Sequence, residues 1–229
     1  MKNSVTQPDD FLVIVLNNKE AADLVKAYKS RKKEIINRLS DFKESWSKND
    51  EEIFSELCFC ILTPQSNAVS CNEVICTLKS SRLLFDGNMN QIRPFIKKAR
   101  FYKNKTNYII EARKMFSKND NISVKGELDM QNILKTRTWL VENVKGIGYK
   151  EASHFLRNIG FGKDLAILDV HILRNLKKYG VIKEIPKTLT KIKYFEIENK
   201  LRKFSRKLRI PMSHLDLLFW SMETDKIFK

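Results

Sequence analysis

The sequence predicts an all-α fold. Three observations carry that prediction. Each stretch with a clear hydrophobic period repeats at helical spacing, as in Ala152, Phe155, Leu156 and Ile159 at i, i+3, i+4 and i+7. A Gly-x-Gly bend, Val144-Lys145-Gly146-Ile147-Gly148-Tyr149-Lys150-Glu151-Ala152, joins two such stretches. The chain of 229 residues is 42% hydrophobic, long enough for a sizeable core, and has no long repeat or low-complexity tract.

Residues 1–10 read as a loose start, and Phe11 to Leu16 as a buried extended segment or the start of a helix. Asn17 followed by Glu20 is a capping-box pattern. Tyr28, Ile35, Leu39, Phe42 and Trp46 then stripe a basic helix. Asn49 and Glu52 suggest a second capping box before Ile53, Phe54, Leu57, Cys58 and Ile61. That helix should break at Thr63-Pro64, because proline disfavours helix in the residue before it. Residues 64–67 form a polar turn with Ser66 as a candidate N-cap, and Ala68, Cys71, Ile75 and Leu78 mark the next helix. Asp86-Gly87-Asn88 is a turn, followed by a basic-aromatic patch from Lys97 to Lys105.

Leu134, Trp139 and Leu140 lead to the glycine bend. Beyond it, Asp169 precedes Val170-His171-Ile172-Leu173, as a helix N-cap would, and Gly180 ends that helix. Ile197, Leu201, Phe204 and Leu208 stripe a basic helix from Lys191 to Arg209. Ser213 to Asp225 is the last helix, with Leu215, Leu218, Phe219 and Met222 on its core face and Trp220 off it.

Lysines and arginines number 43 against 27 acidic residues, a formal net charge of +16. A surplus of that size points to a polyanionic partner, with a merely lysine-rich surface as the plainer reading. Cys58, Cys60, Cys71 and Cys76 match no zinc-ligand spacing and read as reduced thiols. The longest apolar run is too short to span a bilayer, so a soluble intracellular protein, cytoplasmic or in the nucleoid, is expected.

At the bend, helix N–H groups and the positive end of the dipole suit a phosphate. Lys150 falls in the first helical turn, where a cation is disfavoured. An amine attacks carbon only when it carries no proton, so this is a useful place for a nucleophilic lysine. The bend, the lysine after it and Leu168-Asp169-Val170-His171 together resemble the helix–hairpin–helix DNA glycosylase superfamily. The usual proline of the hairpin is replaced here by Lys145. The segment Ala99 to Ile109 and the ending Leu215-Asp216-Leu217-Leu218-Phe219-Trp220, nine residues further to Lys229, resemble the archaeal type-2 8-oxoguanine glycosylase/AP lyase family.

The resemblance implies a two-lobed fold with the active-site cleft between lobes. Residues 1–48 and 156–229 would form the terminal-helix lobe, and residues 49–155 a middle six-helix lobe with the hairpin. It implies excision of 8-oxoguanine from double-stranded DNA by a monomer, with Lys150 as nucleophile and Asp169 stabilising charge on the sugar. Lys229, Trp220 and Phe101 would contact the damaged base. Gly146, Gly148 and Lys145 would grip a backbone phosphate, and Gln65 and Asn67 would enter the duplex. The chemistry calls for no catalytic metal. The hairpin carbonyls could seat a structural monovalent cation, and the iron–sulfur cysteines of related enzymes are missing after Cys76. The alternatives are a non-catalytic helix–hairpin–helix module that only holds DNA, and a glycosylase for oxidised pyrimidines or mismatched adenine.

Overall fold

The computed structural model describes residues 18–229, mostly as helices. The segment from Phe11 to Leu16 and the Asn17 cap lie outside the described residues. Helix α1 spans Asn18–Ser45 and is followed by α2 (Asp50–Leu62), α3 (Ala68–Ser80), α4 (Leu83–Asp86), α5 (Met89–Ile96) and α6 (Tyr102–Met115). A short antiparallel ribbon, β1 (Ser117–Lys118) and β2 (Asn121–Ile122), comes next. Then follow α7 (Ile133–Asn143), α8 (Tyr149–Asn158), α9 (Val170–Lys178), α10 (Lys191–Leu208) and α11 (Met212–Thr224). The ribbon departs from the all-helical expectation for a local reason. Asn119 and Asp120 both take positive φ, at 49° and 61°, the geometry that a tight two-residue hairpin requires.

Local chemistry corrects several sequence expectations. Asn67 caps α3, accepting from the Ser70 N–H at 3.0 Å, in place of Ser66. Asn49 does cap α2, accepting from the Glu52 N–H at 3.0 Å, but the Glu52 carboxylate pairs with Lys79 at 2.9 Å instead of closing a box. Leu134 and Met222 are exposed, although their spacing put them on core faces. Lys105, the last residue of the basic-aromatic patch, is buried.

The buried side chains form two clusters. One joins α2 to α8 and runs to Leu165, around Phe54, Phe59, Phe116 and Phe155. The other joins α1, α9, α10 and α11, around Ile35, Phe204, Leu218 and Phe219. Trp46 packs on the first cluster, edge-on to Phe161 at 5.2 Å. No helix among the described residues is long and apolar enough to cross a membrane.

Two buried ion pairs tie the clusters together. Arg137 on α7 makes a two-pronged contact with Glu198 on α10, at 2.6 and 3.0 Å. The same carboxylate accepts the Ala166 N–H at 2.8 Å, while the Tyr194 hydroxyl donates to the Ala166 carbonyl at 2.6 Å. Arg157 on α8 holds Asp216 on α11 at 2.6 Å. Glu198 therefore fixes both the relation of the two clusters and the extended segment that leads to Asp169.

Removing one partner strands a buried charge, which typically costs about 3–5 kcal/mol. Glu198→Ala should lower unfolding stability by roughly 3 kcal/mol or more in a denaturant titration. A loss below about 1 kcal/mol would show that the pair contributes little beyond ordinary packing.

Candidate active site

The clusters flank a cavity of about 830 Å³. Its walls come from the α2–α3 loop, the first turns of α8, the start of α9, one face of α11 and the last residues of the chain. On α8 the lining residues include Lys150, His154 and Arg157, at i, i+4 and i+7, with Tyr149 and Glu151 beside them at its start. On α11 they include Asp216, Trp220 and Thr224, again one turn apart, together with Leu217.

The hairpin explains how Lys150 comes to face this space. Gly146 takes φ +83°, and a Cβ there would lie 2.5 Å from the Tyr108 ring, so only glycine fits. Gly148 is different: its backbone is extended, with φ −101° and ψ −176°, and it serves as N-cap of α8. Its N–H is not left free for a phosphate, because it donates to Glu151 Oε2 at 3.2 Å. Glu151 Oε1 lies 3.4 Å from the Lys150 amine, so one carboxylate braces both the bend and the lysine. The Lys150 side chain is about one-fifth exposed, enough to be reached from the cavity. Ile147 points inward and is buried, anchoring the bend in the first cluster.

Asp169 lines the same cavity. Its Oδ1 accepts from the Ile172 N–H at 2.8 Å, so the carboxylate is fixed as the N-cap of α9. His171, in the first turn of that helix, approaches Glu223 at 3.9 Å and also reaches the cavity.

Trp220 and Lys229 both reach the cavity. Trp220 stacks on Phe228 at 6.1 Å and 29°, leaving it part-buried. The Lys229 amine pairs with Glu56 on α2 and lies 4.7 Å over the Phe59 ring. Gln65 and Asn67 line the rim and are exposed, and Gln65 takes φ 55°. Lys145 is solvent-exposed and pairs with Glu111 at 2.8 Å. Phe101 stands apart from the cavity lining, 54% exposed beneath the Arg100 guanidinium.

The structure adds site residues that the sequence reading did not single out. Asp216 is a buried carboxylate whose pKa is pushed up to about 6, chiefly by burial, with Asp169 adding to the rise while Arg157 and Lys150 oppose it. Its signal in the sequence was an acid inside the apolar run Leu215 to Trp220, one helical turn before the tryptophan. His154 is buried against Phe59, and burial together with Arg157, Lys150 and Lys229 holds it well below the usual imidazole range. The Lys229 main chain is the one contact that favours its charged form. Burial and the nearby Glu56 also raise Cys60, which keeps it a thiol. Among the described residues no group of three or more His, Cys, Asp or Glu side chains could hold a metal.

The sequence matches the Ogg-HhH family, 8-oxoguanine DNA glycosylase, over residues 35–210. The 8-oxoguanine DNA glycosylase/AP lyase of Fusobacterium nucleatum is 44% identical over 209 residues, covering 90% of this chain and 96% of that protein. The 8-oxoguanine DNA glycosylase/AP lyase of Methanocaldococcus jannaschii is 40% identical over 204 residues, covering 86% of this chain and 93% of that protein. The crystal structure of the M. jannaschii 8-oxoguanine glycosylase/lyase, in complex with a 15mer DNA containing 8-oxoguanine, superposes with a TM-score of 0.80 at 38% identity. That match covers 90% of this chain and 100% of the other. The 8-oxoguanine DNA glycosylase of Thermotoga maritima also gives 0.80, at 32% identity, covering 92% and 99%. Relatives are thus bacterial as well as archaeal, wider than the archaeal resemblance suggested.

His154 yields a pH prediction. The unfolded chain protonates this ring near its ordinary value of 6.5, whereas the folded chain resists protonation until well below it. Its contribution to stability is therefore present above pH 6.5 and is lost as pH falls. His154→Phe, which keeps the packing on Phe59, should lose less melting temperature between pH 7 and 5 than the parent. An identical slope in both proteins would rule this out.

Proposed function

The chain belongs to the Ogg-HhH family of 8-oxoguanine DNA glycosylases, and from that premise we propose that it excises 8-oxoguanine from duplex DNA and cuts the strand as an AP lyase, using Lys150 and Asp169. The observation that carries the residue assignment is that these two side chains line one cavity, each held at its helix N-terminus by a defined contact.

A base within a duplex must leave the stack before its glycosidic bond can be reached. The basic surface would hold the backbone, and the hairpin around Gly146 and Gly148, with Lys145 beside it, would grip a phosphate once Glu151 releases the Gly148 N–H. Gln65 and Asn67, on the rim, would fill the space that the extruded nucleotide leaves. Trp220 offers a flat face for the base inside the cavity, and Lys229 a polar group at its edge. Phe101 would have to turn inward to join them. An 8-oxopurine carries an N7–H donor where guanine carries an acceptor, so an oxygen acceptor placed there, such as a main-chain oxygen of Lys229, would favour the lesion over guanine.

The Lys150 amine, without its proton, attacks C1′ as the C1′–N9 bond breaks and the base departs. Asp169 stabilises the positive charge that gathers on the sugar. Ring opening gives a Schiff base between Lys150 and C1′. Loss of a C2′ proton then breaks the C3′–O bond, cutting the strand on the 3′ side. Hydrolysis of the imine frees the lysine. The protein would act as a monomer wherever the cell keeps its DNA, in the cytoplasm or nucleoid.

Borohydride should trap a covalent protein–DNA adduct on 8-oxoguanine duplexes. Lys150→Gln should abolish trapping while duplex binding survives, and Asp169→Asn should slow excision by about 10²-fold or more with little loss of binding. Trapping that persists in Lys150→Gln would remove that residue from the chemistry.

A further inference from the structure

Lys105 is a buried lysine that the chemistry above does not use. It lies in the first turn of α6 and is only 4% exposed. Its ammonium donates to the Leu62 carbonyl at 2.7 Å, the Pro64 carbonyl at 2.7 Å and the Ser66 hydroxyl at 3.0 Å. All three acceptors are neutral, and all lie at the end of α2 or in the loop after it. Burying a cation against neutral acceptors is costly, and burial indeed lowers the proton affinity of this amine. The Leu62 carbonyl is buried and needs a protein donor, but the Pro64 carbonyl and the Ser66 hydroxyl are only part-buried and could have been met by solvent. What the lysine supplies is geometry: three bonds from one atom pin successive parts of a five-residue loop.

That loop has reason to need pinning. Gln65 sits at its tip with φ 55°, a left-handed conformation that an L side chain rarely adopts and that its surroundings must impose. Ser66 also accepts from the Arg100 N–H at 3.0 Å, and the Lys105 N–H bonds the Phe101 carbonyl at 3.1 Å. The start of α6 and the loop are therefore one hydrogen-bonded body. Cys71 adds a weaker contact to the Leu62 carbonyl at 3.5 Å.

We propose that Lys105 is a positioning residue: its ammonium fixes the loop of residues 63–67 so that Gln65 is held ready, before DNA arrives, to enter the duplex beside the extruded base. This rests on the reading of Gln65 given above. Its effect should be confined to substrates from which a base must be drawn out of a double helix. On an abasic site in a single strand there is no stack to fill.

The test is single-turnover excision on 8-oxoguanine duplexes, alongside cleavage of an abasic site in a single-stranded oligonucleotide. Lys105→Met and Gln65→Ala should each slow duplex excision by about 10-fold, the size expected for lost pre-organisation. The double variant should be no slower than either single one, because both remove the same positioned side chain. Single-strand cleavage by Lys105→Met should change by less than about 2-fold, since no reacting group has moved. Parallel losses on both substrates, or additive effects in the double variant, would overturn the proposal. If Gln65→Ala leaves duplex excision unchanged, the reading of the loop falls and the proposal with it. If Gln65→Ala slows excision and Lys105→Met does not, only the role of Lys105 falls. Should Lys105→Met fail to fold, Ser66→Ala removes one bond of the set. It should slow duplex excision by about 3-fold, and an unchanged rate would overturn the proposal.

Discussion

The site depends on holding two separately packed clusters of helices at a fixed separation. Two buried ion pairs do this, Arg137 with Glu198 and Arg157 with Asp216. Apolar contact alone could let the clusters slide, because packing of Leu and Phe is tolerant of small shifts. A two-pronged guanidinium–carboxylate contact is not tolerant, since its geometry is planar and directional. Glu198 also holds the Ala166 N–H, so the constraint passes along the chain to Asp169 only three residues on. Asp216 lines the cavity itself, so the second pair is both a tie between lobes and part of the wall.

From that frame the chemistry follows in short steps. The bend at Gly146 turns the chain so that α8 starts at the cavity, and its first turn carries Lys150 into it. Glu151 reaches back to the Gly148 N–H and sideways to the Lys150 amine, coupling the bend to that lysine. Asp169 caps α9 opposite, and a capping carboxylate has few rotamers left to it. Cations gather around this space: Lys150, Arg157, Lys229 and, behind the loop, Lys105. Such a field suits a strand of phosphates, and it keeps His154 neutral.

Much of the fold could be read in advance because helical periodicity survives in a single sequence. The stripes through α8 and α10 fell where Phe155, Leu156, Ile197 and Leu201 are buried. The hairpin was legible because glycine at 146 has a steric cause that no other residue satisfies. What escaped was every buried charge. Arg137, Arg157, Glu198 and Asp216 look like surface residues until their partners, all more than fifty positions away, are known. Lys105 misled in the same way, reading as part of a basic patch when its charge is turned inward. Leu134 and Met222 failed in the opposite sense, since period alone cannot tell the edge of a stripe from its centre. The ribbon at residues 117–122 was too short to show any period.

The central claim is that the Lys150 amine forms the bond to the sugar. The direct measurement is to locate the adduct. The protein is reacted with an 8-oxoguanine duplex, reduced with borohydride, digested with nuclease and protease, and mapped by tandem mass spectrometry. The account predicts the reduced sugar remnant on the peptide that carries Lys150. A remnant on Lys105, Lys229 or the N-terminal amine would contradict it.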